Sequence, residues 1–261
     1  MFDFHMHTHV SYDAKSIPEE MVQAALNRGL KEICFTDHFD DEPEGGIPQR
    51  HFTIADYNTA YDHLEAEGLK IRKGIETGLL PDNRASLEQQ IAQRNFDFVL
   101  GSLHYADSKD AYEAEFWEGK TVYEGERKYL EDTLTCILNH DNFDVLAHLT
   151  YISKGRGHPA RRLVPYEDHK EVIDEIFRTL AQKGKGLELN SSGLSRCGDY
   201  LPSPDYFVRF KELGGKIVTV GSDSHSPGGV GKYAADSCRI LKEIFGYVCT
   251  FEDRNPIFHK L

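Results

Sequence analysis

Seven short apolar runs alternate with seven stretches of helical periodicity, and this alternation limits the fold more than any other feature of the chain. The runs fall at residues 2–7, 32–36, 70–76, 96–102, 143–147, 186–189 and 216–220. The helical stretches fall at 18–28, 54–67, 85–94, 122–138, 166–182, 205–213 and 234–245. Strands that each lead into a helix pair in parallel through right-handed crossovers, with the helices covering the sheet. The first helix carries its own boundary signals: Ser16 or Ile17 near the cap, Pro18 near the first position and Gly29 after the end. The polar stretch 39–53 reads as a loop. So does 107–120, with Tyr112, Phe116 and Trp117 as aromatic anchors. Residues 246–261 read as an extended tail packed on the body. A chain of 261 residues with 39% hydrophobic content buries one large core, so a single domain over 1–261 is expected.

Polar, metal-competent residues recur at or just after the C-terminal ends of these runs. The first run ends FDFHMHTH; with a period of two, Asp3, His5 and His7 face one way and Phe4 and Met6 the other. Further on come TDH (36–38), GIETG (74–78), GSLH (101–104), LAH (146–148) and GSDSH (221–225). A barrel of parallel strands places its chemistry at those ends. A single buried histidine is usually a core residue with a satisfied hydrogen bond, so the joint placement is the signal. His63, His140 and His169 have no partner motif and read as surface residues; His51, His158 and His259 read as background. Glu76 closes the run KIRKGIE, where an unpaired carboxylate costs several kcal/mol unless it meets a cation or a metal. Asp223 follows the same logic. Asp37 is open to three readings: ligand, acid/base group, or a partner that orients an imidazole.

Composition narrows the classes of function. The formal net charge is −13, from 43 acidic and 30 basic residues, and such a surface repels nucleic-acid phosphates. The five cysteines are scattered with no C-x-x-C, which fits a reducing compartment. No apolar run approaches the ~18 residues of a membrane span. A cytoplasmic protein with a small-molecule partner, no nucleic acid and no membrane is expected.

Taken together, H-x-H, TDH, a strand-end Glu, GSLH, a later AH and G-S-D-S-H resemble the PHP (polymerase and histidinol phosphatase) superfamily, over nearly the whole chain from His5 to His225. Length, GSLHY (101–105) and ELNSSGLSR (188–196) make the chain most similar to the monofunctional histidinol-phosphate phosphatases. The resemblance implies an α/β fold, a distorted (βα)7 TIM-like barrel with up to three divalent metals at the C-terminal mouth. By motif, it implies that His5, His7, Glu76 and Asp223 hold a first metal. Glu76 would bridge to a second, completed by His104 and His148, and Asp13, His38 and His225 would hold a third. Asp13 replaces a histidine common in the superfamily, which favours iron or manganese over zinc there.

A mixed His and carboxylate set without cysteine suits Zn²⁺, Mn²⁺ or Fe²⁺. Two ions ~3.5–4 Å apart bind a bridging hydroxide, which attacks phosphorus in line. Asp223 and His225 are both candidates to protonate the leaving alkoxide. Arg196 is expected on the phosphate by resemblance. Lys154 and Arg156, in the basic loop after His148, are further candidates, whereas Arg161 and Arg162 read as solvated. The expected reaction is hydrolysis of L-histidinol phosphate, a step of histidine biosynthesis. Histidinol phosphatases often carry an acid shortly after the histidine matching His148; this chain has Leu149, Thr150 and Tyr151. A nucleotide or sugar phosphate is therefore the alternative substrate. A non-catalytic metal-binding domain is the alternative from another class, although such domains lose ligands and this one has kept a competent residue at every position.

Overall fold

In the computed structural model of the protein, residues 1–41, 43, 51–160 and 162–261 are described. Strands and helices follow in the order β1 (Phe2–Asp3), α1 (Pro18–Asn27), β2 (Glu32–Phe35), β3 (His38–Asp40), α2 (Ile54–Tyr61), β4 (Lys70–Gly78), α3 (Arg84–Ile91) and β5 (Phe98–Ser102). Then come β6 (Tyr105–Ala106), β7 (Lys109–Asp110), α4 (Val122–Asn139), β8 (Val145–Leu146), α5 (Tyr166–Gln182) and β9 (Gly186–Asn190). The last elements are α6 (Pro204–Glu212), β10 (Val218–Gly221), α7 (Ala234–Ile244), β11 (Tyr247–Glu252) and β12 (Asn255–Lys260). The seven expected strands form one parallel sheet in the order β1-β2-β4-β5-β8-β9-β10. The edges meet: Phe4 N donates to Val220 O, Asp223 N to His5 O and His7 N to Ser224 O, at 2.8–2.9 Å. The result is a nearly closed barrel wrapped by seven helices.

Local chemistry fixes the helix ends. Thr121 and Glu124 form a reciprocal capping box at the start of α4, and Gly29 takes φ 66° just past α1. Two clusters make up the core. The larger lies around helix–sheet contacts and includes Met6, Ile33, Phe35, Val99, Ile173 and Phe207. The smaller joins Phe4, Phe98, Leu100, Val145, Ala147 and Phe251. Phe4 and Met6 were expected on one face, yet they enter different clusters. Regular strand geometry ends at Asp3 and pairing resumes only as a bridge between Met6 and Ser224, so strict alternation lapses between them.

Three local expectations are corrected. Residues 247–260 form an antiparallel hairpin, β11–β12, not an extended tail. Its turn places Asp253 and Arg254 at φ 49° and 64°, the left-handed pair a tight hairpin requires. Arg254 donates to Asp144 and Asp97 O, and Phe251 packs on Phe98, so the hairpin covers the N-terminal ends of the strands. The stretch expected as loop from residue 39 begins with β3, which pairs with the upper half of β4 in the register His38 with Glu76. The stretch 107–120, expected as a loop, supplies β7, which pairs with β6 just before it, and a 3₁₀ turn that buries Phe116 and Trp117. No helix among the described residues is long and apolar enough to cross a membrane.

Candidate metal centre

Six strand ends bring nine side chains to one point above the barrel. Glu76 stands at the centre, fully buried in the upper half of β4. Its Oε1 lies 3.0 Å from His148 Nε2 and 3.3 Å from His104 Nε2. Its Oε2 lies 3.0 Å from His38 Nδ1, 3.2 Å from His5 Nε2 and 3.5 Å from His7 Nε2. Asp223 Oδ1 is 3.3 Å from His7 Nε2 and 3.7 Å from His5 Nε2. At the mouth, Asp13 Oδ2 is 3.0 Å from His225 Nε2 and 3.5 Å from His38 Nε2. All nine residues expected as ligands thus converge.

The donor set fits divalent cations. Four overlapping groups offer donor atoms within 4.8 Å of one another: His5, His7 and Asp223; His5, Glu76 and His148; His7, His38 and His225; His38, Asp40 and His104. His7 Nε2 is buried and has no hydrogen-bond partner among the described residues, although it points at two carboxylates. Its other nitrogen is engaged: Nδ1 lies 3.3 Å from Ser11 Oγ, which itself donates to Asp37. Nε2 is therefore the atom presented to the centre.

The electrostatics agree. Burial opposes the charge on Glu76, but His5, His38 and His104 hold its carboxyl well below the ordinary range. Burial likewise opposes the charge on Asp223, and Lys154 and His5 reverse it. His104 is disfavoured as a cation by burial, yet Asp40 and Glu76 lift it to about 9. His7 goes the other way, pushed well below its usual value by burial and by His225 and His38. Ionised carboxylates that draw protons onto neighbouring imidazoles satisfy a demand for positive charge that a divalent ion would also meet.

Lys154 and Arg196 line the cleft of about 730 Å³ that opens onto these residues, along with Tyr12, Tyr112 and Tyr151. Lys154 Nζ is hydrogen-bonded to Asp223 and lies 3.1 Å from Ser192 Oγ. Arg196 is exposed and forms no ion pair among the described residues. Arg156 also borders the cleft, but its guanidinium is paired with Glu113 at the rim. Arg162 pairs with Glu126, away from the centre, and Arg161 lies outside the described residues.

Some residues had been misread or missed. Asp37 pairs with no imidazole among the described residues; it accepts from Thr8 N at 2.8 Å, Ser11 Oγ at 2.9 Å and Tyr61 OH, and so pins the 8–11 turn. Asp3 accepts from Ser222 N and Gly231 N and belongs to none of the His/carboxylate groups. His140 and His169, expected at the surface, are buried; the first meets Leu80 O at 2.7 Å and the second Glu126 at 2.9 Å. Asp40 and Glu188 were missed. Both are buried and each accepts from the Nδ1 of a central histidine, Asp40 from His104 at 3.0 Å and Glu188 from His5 at 2.7 Å. Glu188 could have been found, because LEL in β9 repeats the buried-carboxylate pattern that marks Glu76.

Comparison with known proteins gives the same picture. The PHP domain model matches residues 3–192. A histidinol-phosphatase from Lactococcus lactis is 33% identical over 229 residues, covering 85% of this chain and 83% of that one. The crystal structure of the histidinol phosphate phosphatase from that organism, complexed with zinc, L-histidinol and phosphate, superposes with a TM-score of 0.90 at 29% identity, over 98% of both chains. A chain from the metal-dependent tyrosine phosphatase structures of Bacillus subtilis and Streptococcus pneumoniae shares the fold alone, with a TM-score of 0.51 at 18% identity over 94% and 88%. With barrel, converging ligands and matched stretch in agreement, the chain belongs to the PHP domain family, among relatives of the histidinol-phosphatase type.

Proposed function

We propose that the protein is a metal-dependent phosphomonoesterase that hydrolyses L-histidinol phosphate to L-histidinol and inorganic phosphate. The observation that carries this reading is the convergence on Glu76: five imidazole nitrogens lie within 3.5 Å of its two oxygens. The Lactococcus lactis structure, similar over its full length, was solved with zinc, L-histidinol and phosphate. Two or three divalent ions (zinc, manganese or iron) are assigned to this centre. His5, His7, Glu76 and Asp223 would hold the first, Glu76, His104 and His148 the second, and Asp13, His38 and His225 the third. Bound there, the ions supply the Lewis acid that activates water and neutralises the phosphoryl oxygens.

The chain's own residues do the rest. Lys154 and Arg196 bring positive charge to the phosphate side of the cleft. Of the two candidate proton donors, His225 at the mouth is the one from which the leaving alkoxide takes a proton, because Lys154 and His5 hold the carboxyl of Asp223 ionised. Burial of Glu76 and its neighbours excludes bulk water and strengthens every charge interaction in the centre. The test is phosphate release from L-histidinol phosphate by metal-reconstituted protein. A kcat/KM of ~10⁴ M⁻¹s⁻¹ or more is expected. Absence of turnover with metals bound would move the substrate elsewhere.

One observation favours a second reading. Tyr151, three residues after His148, packs its ring 5.0 Å from His148 and 5.2 Å from His104, beneath Lys154. An aromatic floor there suits a different small phosphate ester, and a panel of sugar and nucleotide phosphates run beside L-histidinol phosphate separates the two.

A further inference from the structure

Glu188 faces the centre from β9 yet offers it no free oxygen. Oε1 accepts from His5 Nδ1 at 2.7 Å. Oε2 accepts from the backbone N–H of His148 at 2.9 Å and from Asn190 Nδ2 at 3.1 Å. The side chain is 1% exposed, and it belongs to none of the groups whose donor atoms converge on a possible ion. Asp40, the other buried acid beside a central histidine, differs: its Oδ1 has no partner among the described residues, and it joins such a group.

Two consequences follow from the geometry. A carboxylate only accepts, so the proton of His5 sits on Nδ1 and the Nε2 lone pair is left for the centre. Nε2 is the atom 3.2 Å from Glu76 and 3.7 Å from Asp223. The same carboxylate fixes the backbone at His148, a ligand on another strand, whose Nε2 meets the opposite oxygen of Glu76. One side chain thus sets the orientation of one imidazole and the position of a second. The neighbouring strand makes room for it: a Cβ on Gly221 would lie 2.1 Å from Glu188 Oε1 and 2.5 Å from His5 Cβ. The glycine of GSDSH is required by this contact.

We infer that Glu188 is a positioning residue that sets the affinity of the metal centre by orienting His5 and anchoring His148, without binding an ion itself. The inference rests on the metal centre proposed above. Partners in this position fix the tautomer and raise the basicity of the ligand, and losing one costs about 10–100-fold in metal affinity or activity.

The test uses full-length protein, stripped of metal and titrated with Zn²⁺ against a chromophoric chelator. In Glu188→Gln, Zn²⁺ binding should weaken by about 10–100-fold. The rise in melting temperature on adding Zn²⁺ should shrink, and kcat should fall by a similar factor with KM within about threefold. A variant whose metal-free form melts lower while its Zn²⁺ affinity stays within twofold of the parent would overturn the inference, because Glu188 would then serve the fold alone. If Glu188→Gln does not fold, Glu188→Asp decides the question. It keeps the charge, shortens the reach by one methylene, and should still weaken Zn²⁺ by about tenfold; parental affinity in that variant overturns the inference equally. Parent protein that binds Zn²⁺ but leaves L-histidinol phosphate intact would defeat the proposed substrate and leave this test standing. Parent protein that binds no divalent metal would defeat the metal centre itself.

Discussion

The ammonium group of Lys154 is hydrogen-bonded to the carboxylate of Asp223, although the two residues follow different strands, β8 and β10. Asp223 adopts φ 53°, a left-handed conformation that Asp tolerates better than most residues. Ser192, from the loop after β9, meets both partners at 3.1–3.2 Å. Three consecutive strand ends are thereby tied together beside the proposed first metal. In the proposed reaction Lys154 would pass its charge from Asp223 to a bound phosphate. Lys154→Met should lower kcat/KM on L-histidinol phosphate by about 100-fold, with metal content unchanged by elemental analysis. Loss of metal in parallel with activity would show that the lysine shapes Asp223 instead of meeting substrate.

Glu76 serves the first and second proposed sites at once, so its loss should be disproportionate. Glu76→Ala should bind at most one ion and lose at least about 10³-fold in kcat, as expected when two ions lose their shared ligand. The metal-free variant should nevertheless fold, because the imidazoles around Glu76 can shed their protons and residues at the C-terminal mouth of a parallel barrel serve chemistry more than stability. Metal analysis and circular dichroism check both halves. Retention of most of the activity would remove Glu76 from its bridging role.

The two arginines at the cleft are expected to behave differently. Arg196 is exposed and forms no ion pair among the described residues, whereas Arg156 is paired with Glu113. Arg196→Ala should raise KM by about tenfold with a smaller loss of kcat. Arg156→Ala should leave both within about threefold, since exposed ion pairs contribute little. Steady-state kinetics on the two variants side by side would expose a reversal.

The barrel and eight of the nine proposed ligands were legible for one physical reason: each sits at or just after the end of an apolar run, where a polar side chain needs a special explanation, whereas Asp13, in the loop after the first run, followed from the resemblance alone. The helices followed from periodicity and caps to within a few residues for most elements. What escaped notice lay where the sequence carries no local signal. Strand β3 exists because the upper half of β4 offers it a hydrogen-bonding edge, and nothing in Phe39 or Asp40 announces that. The hairpin β11–β12 turns on Asp253 and Arg254 without the glycine or asparagine that marks tight turns. Buried His140, His158 and His169 lacked a motif because their partners, Leu80 O and Glu126, are remote in sequence.

Those last histidines lead to a prediction about acid stability. Glu126, on α4, is fully buried. It accepts from Arg162 Nε at 3.0 Å, Arg162 Nη2 at 2.8 Å and His169 Nε2 at 2.9 Å, with His158 Nε2 at 3.8 Å. Burial opposes its charge, but nearby His158 and the hydrogen bonds from His169 and Arg162 outweigh burial and hold the carboxyl down, from 4.5 to about 2. The folded state therefore releases this proton more readily than the unfolded chain does. The resulting stability is fully present above about pH 4.5 and is lost as the pH falls from 4.5 towards 2. Glu126→Gln should cost about 2 kcal/mol near pH 6. The gap between parent and variant should narrow as the pH drops to about 3. Urea unfolding of both metal-free proteins across that range measures the gap directly, and a gap that stays constant would mean that Glu126 contributes through packing and not through its charge.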